Sequence, residues 1–409
     1  MNPKLQIEKL IDHLQKQKYA FISAQGKILL HHIPTNTNHA LDILEREYYL
    51  STGEQWRRSY LNLLWDHIPF IKVNEFNPTQ PYGIDQNGTL NTFRRWRSDK
   101  TPAADLTLWH SYLARLFPDQ TDRATVSAYM AHMFQHPEQR PSWHIVIPSD
   151  TGTGKGFLFN QILSPLLMHQ TTLYSNYSTL TTVHNDAMAR TILILFDDPP
   201  PATRNMADRL KSIQTEPVIE INRKYEQPRK VPTFTRFFTF SNSESPIEVE
   251  ANDRRHYCTH YIRHKVSREE TAEFITCLAE WLAVGGLEAV HAWLMAYPLS
   301  EFTPYRPPYS VALERMKQAS ITEEQNEAEI FTGENPAFAF KAFHDACPSF
   351  PRPQDASQWL RDNGYVSARV NTRAGLKSVW YRAPQDGSGK IPESALSWFV
   401  DKYYPTPTK

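Results

Sequence analysis

The sequence has 409 residues, 40% of them hydrophobic, and its 44 Lys and Arg balance 44 Asp and Glu. The length is enough for roughly two or three domains. A formal net charge of zero excludes a strong overall attraction to nucleic acid, so any such contact must come from local patches or a repeated assembly. Three widely spaced cysteines exclude a disulfide framework and a zinc ribbon.

The N-terminal part carries no targeting signal that the pattern reveals. Charged residues alternate with isolated apolar ones, which excludes a signal peptide, and no stretch approaches the roughly 18 apolar residues of a membrane span. We therefore expect a soluble, cytoplasmic protein without membrane contact. Residues 1–70 combine a helical period at 4–18, a hairpin pattern in YAFISAQGKILLHHI and helical patterns at 38–50 and 53–65, which predicts a small α+β module. Residues 71–105 cluster Pro, Gly, Asn and Asp and are predicted to form a linker.

The most informative stretch of the sequence is residues 143–160, WHIVIPSDTGTGKGFLFN. It follows two predicted helices at 106–135. Apolar β-branched residues predict a buried strand, three glycines break it, and a helical pattern begins at Phe157. Such a loop can turn its backbone N–H groups around a polyphosphate at the positive end of the helix. The predicted nucleotide contacts are Thr151, Gly152, Thr153, Gly154, Lys155 and Gly156.

The match to the phosphate-loop pattern G-x-x-x-x-G-K-[ST] is incomplete. Ser149 stands where the first glycine belongs, and Gly156 stands where a Mg²⁺-binding hydroxyl belongs. Taken alone, the stretch is also compatible with a flexible surface loop. Its interpretation therefore depends on the elements that follow.

Two further strand patterns end in polar side chains. ILILFDD ends in Asp197 and Asp198, which suits Mg²⁺ binding and activation of a water molecule, although an acidic surface turn has the same appearance. TFTRFFTFSN ends in Asn242, which can orient a water or simply form a turn. Beyond it, Arg254 and Arg255 are candidates for an arginine supplied to the γ-phosphate of a neighbouring subunit, or for a surface ion pair with Asp253.

Basic residues concentrate in two places. Between 201 and 236 eight basic residues face four acidic ones, which favours contact with a phosphate backbone over a merely solvated face. The region 266–332 is predicted to be helical with a linker. In the module at 333–409, two helices precede two strands around Arg373, an order typical of a winged helix. We expect duplex DNA to contact Arg373 and Lys377 near the tip of the wing; protein-binding winged helices are the alternative.

The ordered set of GTGKG, ILILFDD, a basic segment, FFTFSN and DRR at 106–265 resembles the AAA+ core of superfamily 3 helicases, in particular replication proteins and primase-helicases of phages and other mobile elements. The resemblance implies an α/β fold with an AAA+-like P-loop core, ATP and Mg²⁺ as cofactors, and a ring whose expected size is a hexamer. It implies that Lys155 contacts the β and γ phosphates, that Asp197 holds Mg²⁺, that Asp198 acts on water and that Asn242 is a sensor. Arg254 or Arg255 would be the arginine finger, and Lys224, next to Arg223, would lie in a DNA-contacting hairpin.

These observations predict an ATP-dependent, ring-forming DNA helicase for replication of a phage or other mobile element, with single-stranded DNA, duplex DNA and other replication proteins as partners. Primase activity is not expected, because no acidic pair with a downstream histidine forms a two-metal polymerase pattern. One alternative is a replication initiator or loader that uses nucleotide as a switch with little hydrolysis. Another is a P-loop phosphotransferase with a small acceptor.

Overall fold

The computed structural model describes residues 3–24, 27–57, 60–181, 186–200, 204–221, 228–243, 253–319, 323–350, 352–372, 375–384 and 390–403. The chain forms two compact units, Met1–Met316 and Lys317–Lys409. The first unit contains a parallel β-sheet with helices on its faces, so the predicted α/β class is confirmed. The finer boundaries predicted at 70, 105, 265 and 332 stay predictions.

The first unit begins with a small module around a four-stranded sheet. Its elements are α1 (Pro3–Lys16), β1 (Tyr19–Ala24), β2 (Lys27–His32), β3 (Thr37–His39), α2 (Ile43–Thr52), α3 (Leu61–Leu64) and β4 (Phe70–Ile71). The sheet order is β3-β2-β1-β4, and β1 is antiparallel to β2, which confirms the predicted hairpin. Leu10 and Leu14 of α1 pack with Phe21 and Tyr48. The helical patterns at 38–50 and 53–65 were too long, because β3 occupies 37–39 and α3 is a single turn.

Three very short strands follow where the sequence pattern showed only turn residues. They are β5 (Val73–Glu75), β6 (Gly83–Ile84) and β7 (Thr89–Asn91), in the order β5-β7-β6. The buried Asn91 side chain holds them together: Nδ2 donates to Asn77 O and Gln80 O at 2.9 Å each, and Oδ1 accepts from Asn77 N at 3.0 Å. Strands of two or three residues leave no period for sequence to reveal.

The centre of the first unit is a five-stranded parallel sheet. After α4 (Thr107–Leu116) and α5 (Gln120–Gln135) its strands are β8 (His144–Pro148), β9 (Thr171–Tyr174), β10 (Leu193–Asp197), β13 (Arg236–Ser241) and β14 (His256–Cys258). The order is β14-β8-β13-β10-β9, with every pair parallel. The chain leaves β8 for the far edge, returns strand by strand, and finally places β14 on the other side of β8. The crossover direction therefore reverses at β8, and ligands of open α/β sheets bind at the carboxyl edge of such a switch point.

Alternating residues of these strands feed hydrophobic cores on the two faces of the sheet. Leu193 and Leu195 join the main core, whereas Ile194 and Phe196 point into a second core with α7 (Ser178–Thr181) and α8 (Arg204–Thr215). All four side chains are at least 99% buried, which explains why the sequence shows a continuous apolar run instead of an alternating one. A hairpin of β11 (Val218–Ile221) and β12 (Arg229–Pro232) stands between α8 and β13.

The helix after β8, α6, begins at Lys155 and runs through Lys155–Phe157, Leu158–Leu163 and Ser164–Leu166. Its middle part is π-helical. Pro165 has no N–H to donate, which removes one regular α-helical hydrogen bond in the same region. The predicted helix start at Phe157 was therefore two residues late.

The segment Arg268–Ala296 is long and apolar enough, by length and composition alone, to cross a membrane. It consists of α9 (Arg268–Trp281), a π-type turn at Leu282–Gly286 and α10 (Leu287–Ala296), with non-helical dihedrals at Val284 and Gly285. Leu278 and Val290 pack into the main core. The segment is therefore two helices joined at a break, each of which packs against the main core of the first unit.

The second unit contains α12 (Glu323–Glu334), β15 (Ala337–Phe338), α13 (Phe340–Ala346), α14 (Pro353–Asp362), β16 (Tyr365–Thr372), β17 (Gly375–Arg382) and α15 (Glu393–Tyr403); α11 (Val311–Ala319) precedes it. Its sheet order is β15-β17-β16, and β16 and β17 form the predicted hairpin. The predicted helix at 335–346 begins only at Phe340, because Ala337 and Phe338 pair with β17 as a strand.

Candidate functional site

Lys155 is the buried centre of a polar cluster at the carboxyl edge of the parallel sheet. Its side chain is only 8% exposed, and Nζ donates to Asn242 Oδ1 at 2.8 Å and to Ser241 O at 3.0 Å. Burial lowers the pKa of Lys155, while the nearby carboxylates of Asp197 and Asp198 act in the opposite direction. The Lys155 ammonium group lies at the carboxyl edge of the sheet and donates to a carbonyl and an amide oxygen, not to a carboxylate. Its charge is therefore suited to binding an anion.

Asp198 and Asn242 bridge the ends of two neighbouring strands. Asp198 Oδ1 accepts from Asn242 N at 3.0 Å and from Ser241 Oγ at 3.2 Å, and Oδ2 accepts from Asn242 Nδ2 at 2.8 Å. These hydrogen bonds, the one from the Asn242 backbone first, lower the pKa of Asp198. Asp198 has a φ of 47°, in the left-handed region that non-glycine residues rarely adopt. Asp197 is exposed at the end of β10. The structure therefore brings Lys155, Asp198 and Asn242 into one chain of contacts, with Asp197 beside it.

The glycine loop needs its glycines at two positions. Gly152 and Gly154 have φ values of 85° and 101°, which a side chain would disfavour. Tyr112 OH donates to Gly154 O at 2.9 Å and so fixes the loop against α4. Thr153 Oγ1 lies 3.0 Å from Ser149 Oγ, which links the two ends of the loop. The backbone N–H groups at the start of α6 are thereby held at the mouth of the sheet, where an anion can accept from them.

Sequence reasoning missed a clamp around Asp150. Tyr261 OH donates to Asp150 Oδ1 at 3.1 Å, and His264 N donates to Oδ2 at 3.2 Å. His264 Nε2 donates to Thr151 O at 2.9 Å, and Tyr261 OH also lies 3.1 Å from Asn242 O. The hydrogen bond from the His264 backbone, followed by that from Tyr261, lowers the pKa of Asp150. The sequence indicates this site only through the carboxylate of Asp150 within the glycine loop, because its partners Tyr261 and His264 lie more than 100 residues further along the chain.

A pocket of about 390 Å³ opens directly beside the glycine loop. It lies between α4, the segment after β14 and α9, and Arg115 stacks on Phe274 at 4.3 Å on its wall. The residues that connect it to the loop and give it an apolar and basic lining are Tyr112, Thr153, His264, Lys265, Phe274 and Ile275. Such a lining suits a flat, partly apolar group attached to a phosphate chain.

The residues present fit a Mg²⁺ ion in part. The exposed carboxylate of Asp197 offers the oxygen ligand that Mg²⁺ prefers, whereas both oxygens of Asp198 already accept hydrogen bonds. Gly156 supplies no hydroxyl, and the nearest atom to a Cβ placed there is Asn160 Nδ2 at 4.0 Å. Asp197 and the phosphates would therefore hold a magnesium ion here, with water as the remaining ligands.

Two further predicted site residues of the first unit, Arg254 and Arg255, lie away from this cluster. Arg254 and Arg255 precede β14, whose His256 is in register with His144 at the amino end of β8, so they lie at the opposite edge of the sheet. Arg254 is exposed, whereas Arg255 is half-buried with Nη1 3.7 Å from Asp253 Oδ2. Lys377 is partly exposed on β17. Residues Arg223, Lys224 and Arg373 lie outside the described part of the chain.

Comparisons with known proteins identify similar folds. Residues 147–255 match a family model described as "Family of unknown function (DUF5906)". No curated protein matches the chain. An A form apo structure of the NrS-1 C-terminal region is similar with a TM-score of 0.60 and 13% sequence identity, covering 91% of this chain and 99% of that one. An apo structure of NrS-1 residues 305–718 is similar with a TM-score of 0.61 and 15% identity, covering 88% of this chain and 86% of that one. At these identities the likeness concerns the fold.

Proposed function

We propose that the chain is a Mg²⁺-dependent ATPase that acts as a ring-forming DNA helicase of the superfamily 3 type, in the replication of a phage or other mobile element. The observation that carries the proposal is the convergence of Lys155, Asp198 and Asn242 from three neighbouring strand ends, at the switch point of a parallel sheet. The fold similarity to the NrS-1 C-terminal region supports a replication context. We expect the protein to work in the cytoplasm.

In this proposal each part of the cluster has a task. The glycine loop and Lys155 bind the β and γ phosphates, and the 390 Å³ pocket beside Thr153 takes the base. Bound Mg²⁺, held through Asp197, would neutralise charge on the phosphates. Asn242 lies between Lys155 and Asp198, so arrival of a γ-phosphate that attracts Lys155 breaks its 2.8 Å contact with Asn242. Asn242 Oδ1 is then free to accept a hydrogen bond from the attacking water, while Asp198 still accepts from Asn242 N and Nδ2 and can accept from the same water through its remaining lone pairs.

The arginine finger is assigned to Arg254 in preference to Arg255. Arg255 is held by Asp253, with its side chain 22% exposed, while Arg254 is exposed. Arg254 lies beyond the amino end of β8, whereas the glycine loop follows its carboxyl end, and the five residues of β8 between them span roughly 17 Å at the rise of a β-strand. It therefore cannot reach the phosphates of its own subunit and would serve a neighbour, which requires a ring.

DNA contacts are assigned to both units. In the first unit, Arg223 and Lys224 follow β11 and lie outside the described residues; in a ring they would contact single-stranded DNA in the central channel. In the second unit, the order of α13, α14, β16 and β17 is that of a winged helix, and Arg373 and Lys377 would contact duplex DNA.

Steady-state ATP hydrolysis with and without single-stranded DNA tests the proposal. We expect turnover that DNA stimulates in the native protein and that Lys155→Ala abolishes. Arg254→Ala should also abolish turnover, and mixing it with Lys155→Ala should partly restore turnover, because each variant supplies what the other lacks at one interface. Absence of turnover in a native protein that binds ATP would refute the helicase.

A nucleotide-switched initiator or loader is the second candidate. It is favoured by Gly156, which offers no Mg²⁺ ligand, and by Asp198, whose two oxygens are both engaged. It predicts ATP-dependent assembly on DNA without turnover. Sedimentation of the protein with ATP and with a non-hydrolysable analogue separates the two: a switch assembles equally with both and does not disassemble with time in ATP.

A further inference from the structure

The segment at 93–100 crosses the amino edge of the parallel sheet, on the side opposite the glycine loop. The Gln170 side chain at the start of β9 holds it: Oε1 accepts from Arg94 N at 2.7 Å, and Nε2 donates to Arg94 O at 2.8 Å. Ile192 N donates to Gln170 O at 2.8 Å, which ties the same point to β10. The backbone of the segment is therefore fixed to the sheet.

Its side chains alternate between flat aromatic groups and cations. Trp96 is partly exposed and its ring lies 4.7 Å from that of His291. Arg95 and Arg97 on either side of it are exposed, and Arg95 lies over the ring of Phe93 at 5.8 Å. Burial lowers the pKa of His291, so its ring is neutral at pH 7. Two cations thus flank an uncharged aromatic platform.

A pocket of about 100 Å³ opens beside this platform. Its rim and floor include Arg95, Trp96, Gln170, His291 and Met295. The lining is mostly apolar and Arg95 adds an exposed positive charge, which favours a flat ring that is attached to an anion.

The same edge of the sheet carries the β11–β12 hairpin. Arg236 N, at the start of the strand that the hairpin leads into, donates to Ile192 O at 2.8 Å, and Ile192 in turn bonds to Gln170. A polyanion that contacts the hairpin therefore meets the segment at 93–100 two strands further along the same edge.

We propose that residues Arg95, Trp96 and Arg97 form a single-stranded DNA contact, in which a base stacks on Trp96 at the 100 Å³ pocket and the two arginines bind the adjacent phosphates. Stacking on an aromatic ring needs an unpaired base, whereas a duplex offers only phosphates to this surface. That the ligand is DNA rests on the proposed function. That the ligand has a flat ring and a negative charge rests on the side chains of Arg95, Trp96 and Arg97.

Fluorescence anisotropy of a labelled oligothymidylate, titrated with full-length protein in the absence of nucleotide, tests the contact. Trp96→Leu keeps an apolar side chain but removes the flat ring, and should weaken binding by roughly 5-fold or more. Arg95→Ala/Arg97→Ala should lower the slope of log K against log salt by about 1.4, for two lost phosphate contacts on a single strand. Lys9→Ala/Arg57→Ala removes two exposed charges elsewhere and should bind as the native protein does.

Trp96→Phe, which keeps a ring, should retain most of the affinity, and a melting curve of each variant confirms its fold. A duplex of the same length should lose little affinity on Trp96→Leu. Unchanged titrations of both Arg95→Ala/Arg97→Ala and Trp96→Leu would overturn the proposal, as would equal losses for duplex and single strand on Trp96→Leu. ATP hydrolysis by these variants without DNA should stay native, so failure of this contact is distinguishable from failure of the ATPase.

Discussion

Replacing Lys155 with methionine tests whether the buried ammonium group binds a phosphate or stabilises the fold. Nζ is desolvated, and its two hydrogen-bond acceptors do not depend on it. Ser241 O also accepts from Ser149 N at 2.9 Å, and Asn242 is exposed to water. Methionine has a similar length and no desolvation penalty, so we expect the free energy of unfolding without nucleotide to change by less than about 1 kcal/mol.

The effect on the nucleotide-bound state should be much larger. A ligand at 100 times its dissociation constant stabilises the folded state by about 2.7 kcal/mol. For the unit Met1–Met316, with an unfolding entropy of about 2.1 cal/mol/K per residue, that corresponds to a Tm increase of about 4 °C. Lys155→Met removes the cation that faces the phosphates, so the increase should fall to about 1 °C or less at the same ATP concentration.

Thermal unfolding with and without Mg²⁺ and ATP measures both quantities. Lys9→Met, which removes an exposed lysine from α1, serves as the matched control and should keep the full increase. A Lys155→Met variant that retains the native increase would refute the assignment of the loop as a phosphate site. A large loss of stability without nucleotide would instead show that Lys155 has a structural role.

Three further predictions concern the same unit. Gly156→Ser adds a hydroxyl where space is open, the nearest atom to its Cβ being 4.0 Å away, so half-maximal ATP hydrolysis should need less Mg²⁺ in a magnesium titration; an unchanged requirement would contradict the metal position. Gly154→Ala places a side chain at φ 101°, which strains the loop by roughly 1 kcal/mol or more, and ATP affinity measured by calorimetry should fall while Gly333→Ala, with open space around it, leaves it unchanged. Burial lowers the pKa of His132 to about 4, so the unfolded chain binds a proton before the folded one as pH falls below about 6.5. Roughly 1–2 kcal/mol of the free energy of unfolding should therefore be lost by pH 5. Urea unfolding of His132→Gln should show a weaker pH dependence than the native protein, and an equal dependence would contradict this mechanism.

The parts of the candidate site that could be predicted are those with a local pattern. Gly154 and Lys155 stand in a glycine-rich loop after an apolar strand, and Asp197 and Asn242 end strands with continuous apolar runs. Parallel strands buried on both faces must be apolar along their whole length, so their polar ends are visible in the sequence. The parallel sheet and the order of its elements could be predicted for the same reason, whereas helicase activity, the ring and the DNA contacts remain predictions.

The contacts of Asp198 could not be predicted from the local sequence pattern. That Asp198 acts on water stays a prediction, and the sequence did not show that both of its oxygens accept hydrogen bonds from Ser241 and Asn242, 43 and 44 residues further along the chain. The strands at 73–91 and the strand at 337–338 were missed because elements of two or three residues have no measurable period.

The sequence by itself predicted candidate residues for binding phosphate and metal, because glycine, lysine and carboxylate chemistry is a property of each residue and its immediate neighbours. Only the tertiary structure decided that Asp150 is held by Tyr261 and His264, that Arg254 lies at the opposite edge from the glycine loop, and that the ring of Trp96 lies against that of His291. Those arrangements depend on the order in which strands join the sheet and on contacts across more than 100 residues. Such long-range contacts follow from how the whole core packs, and no window of sequence contains them.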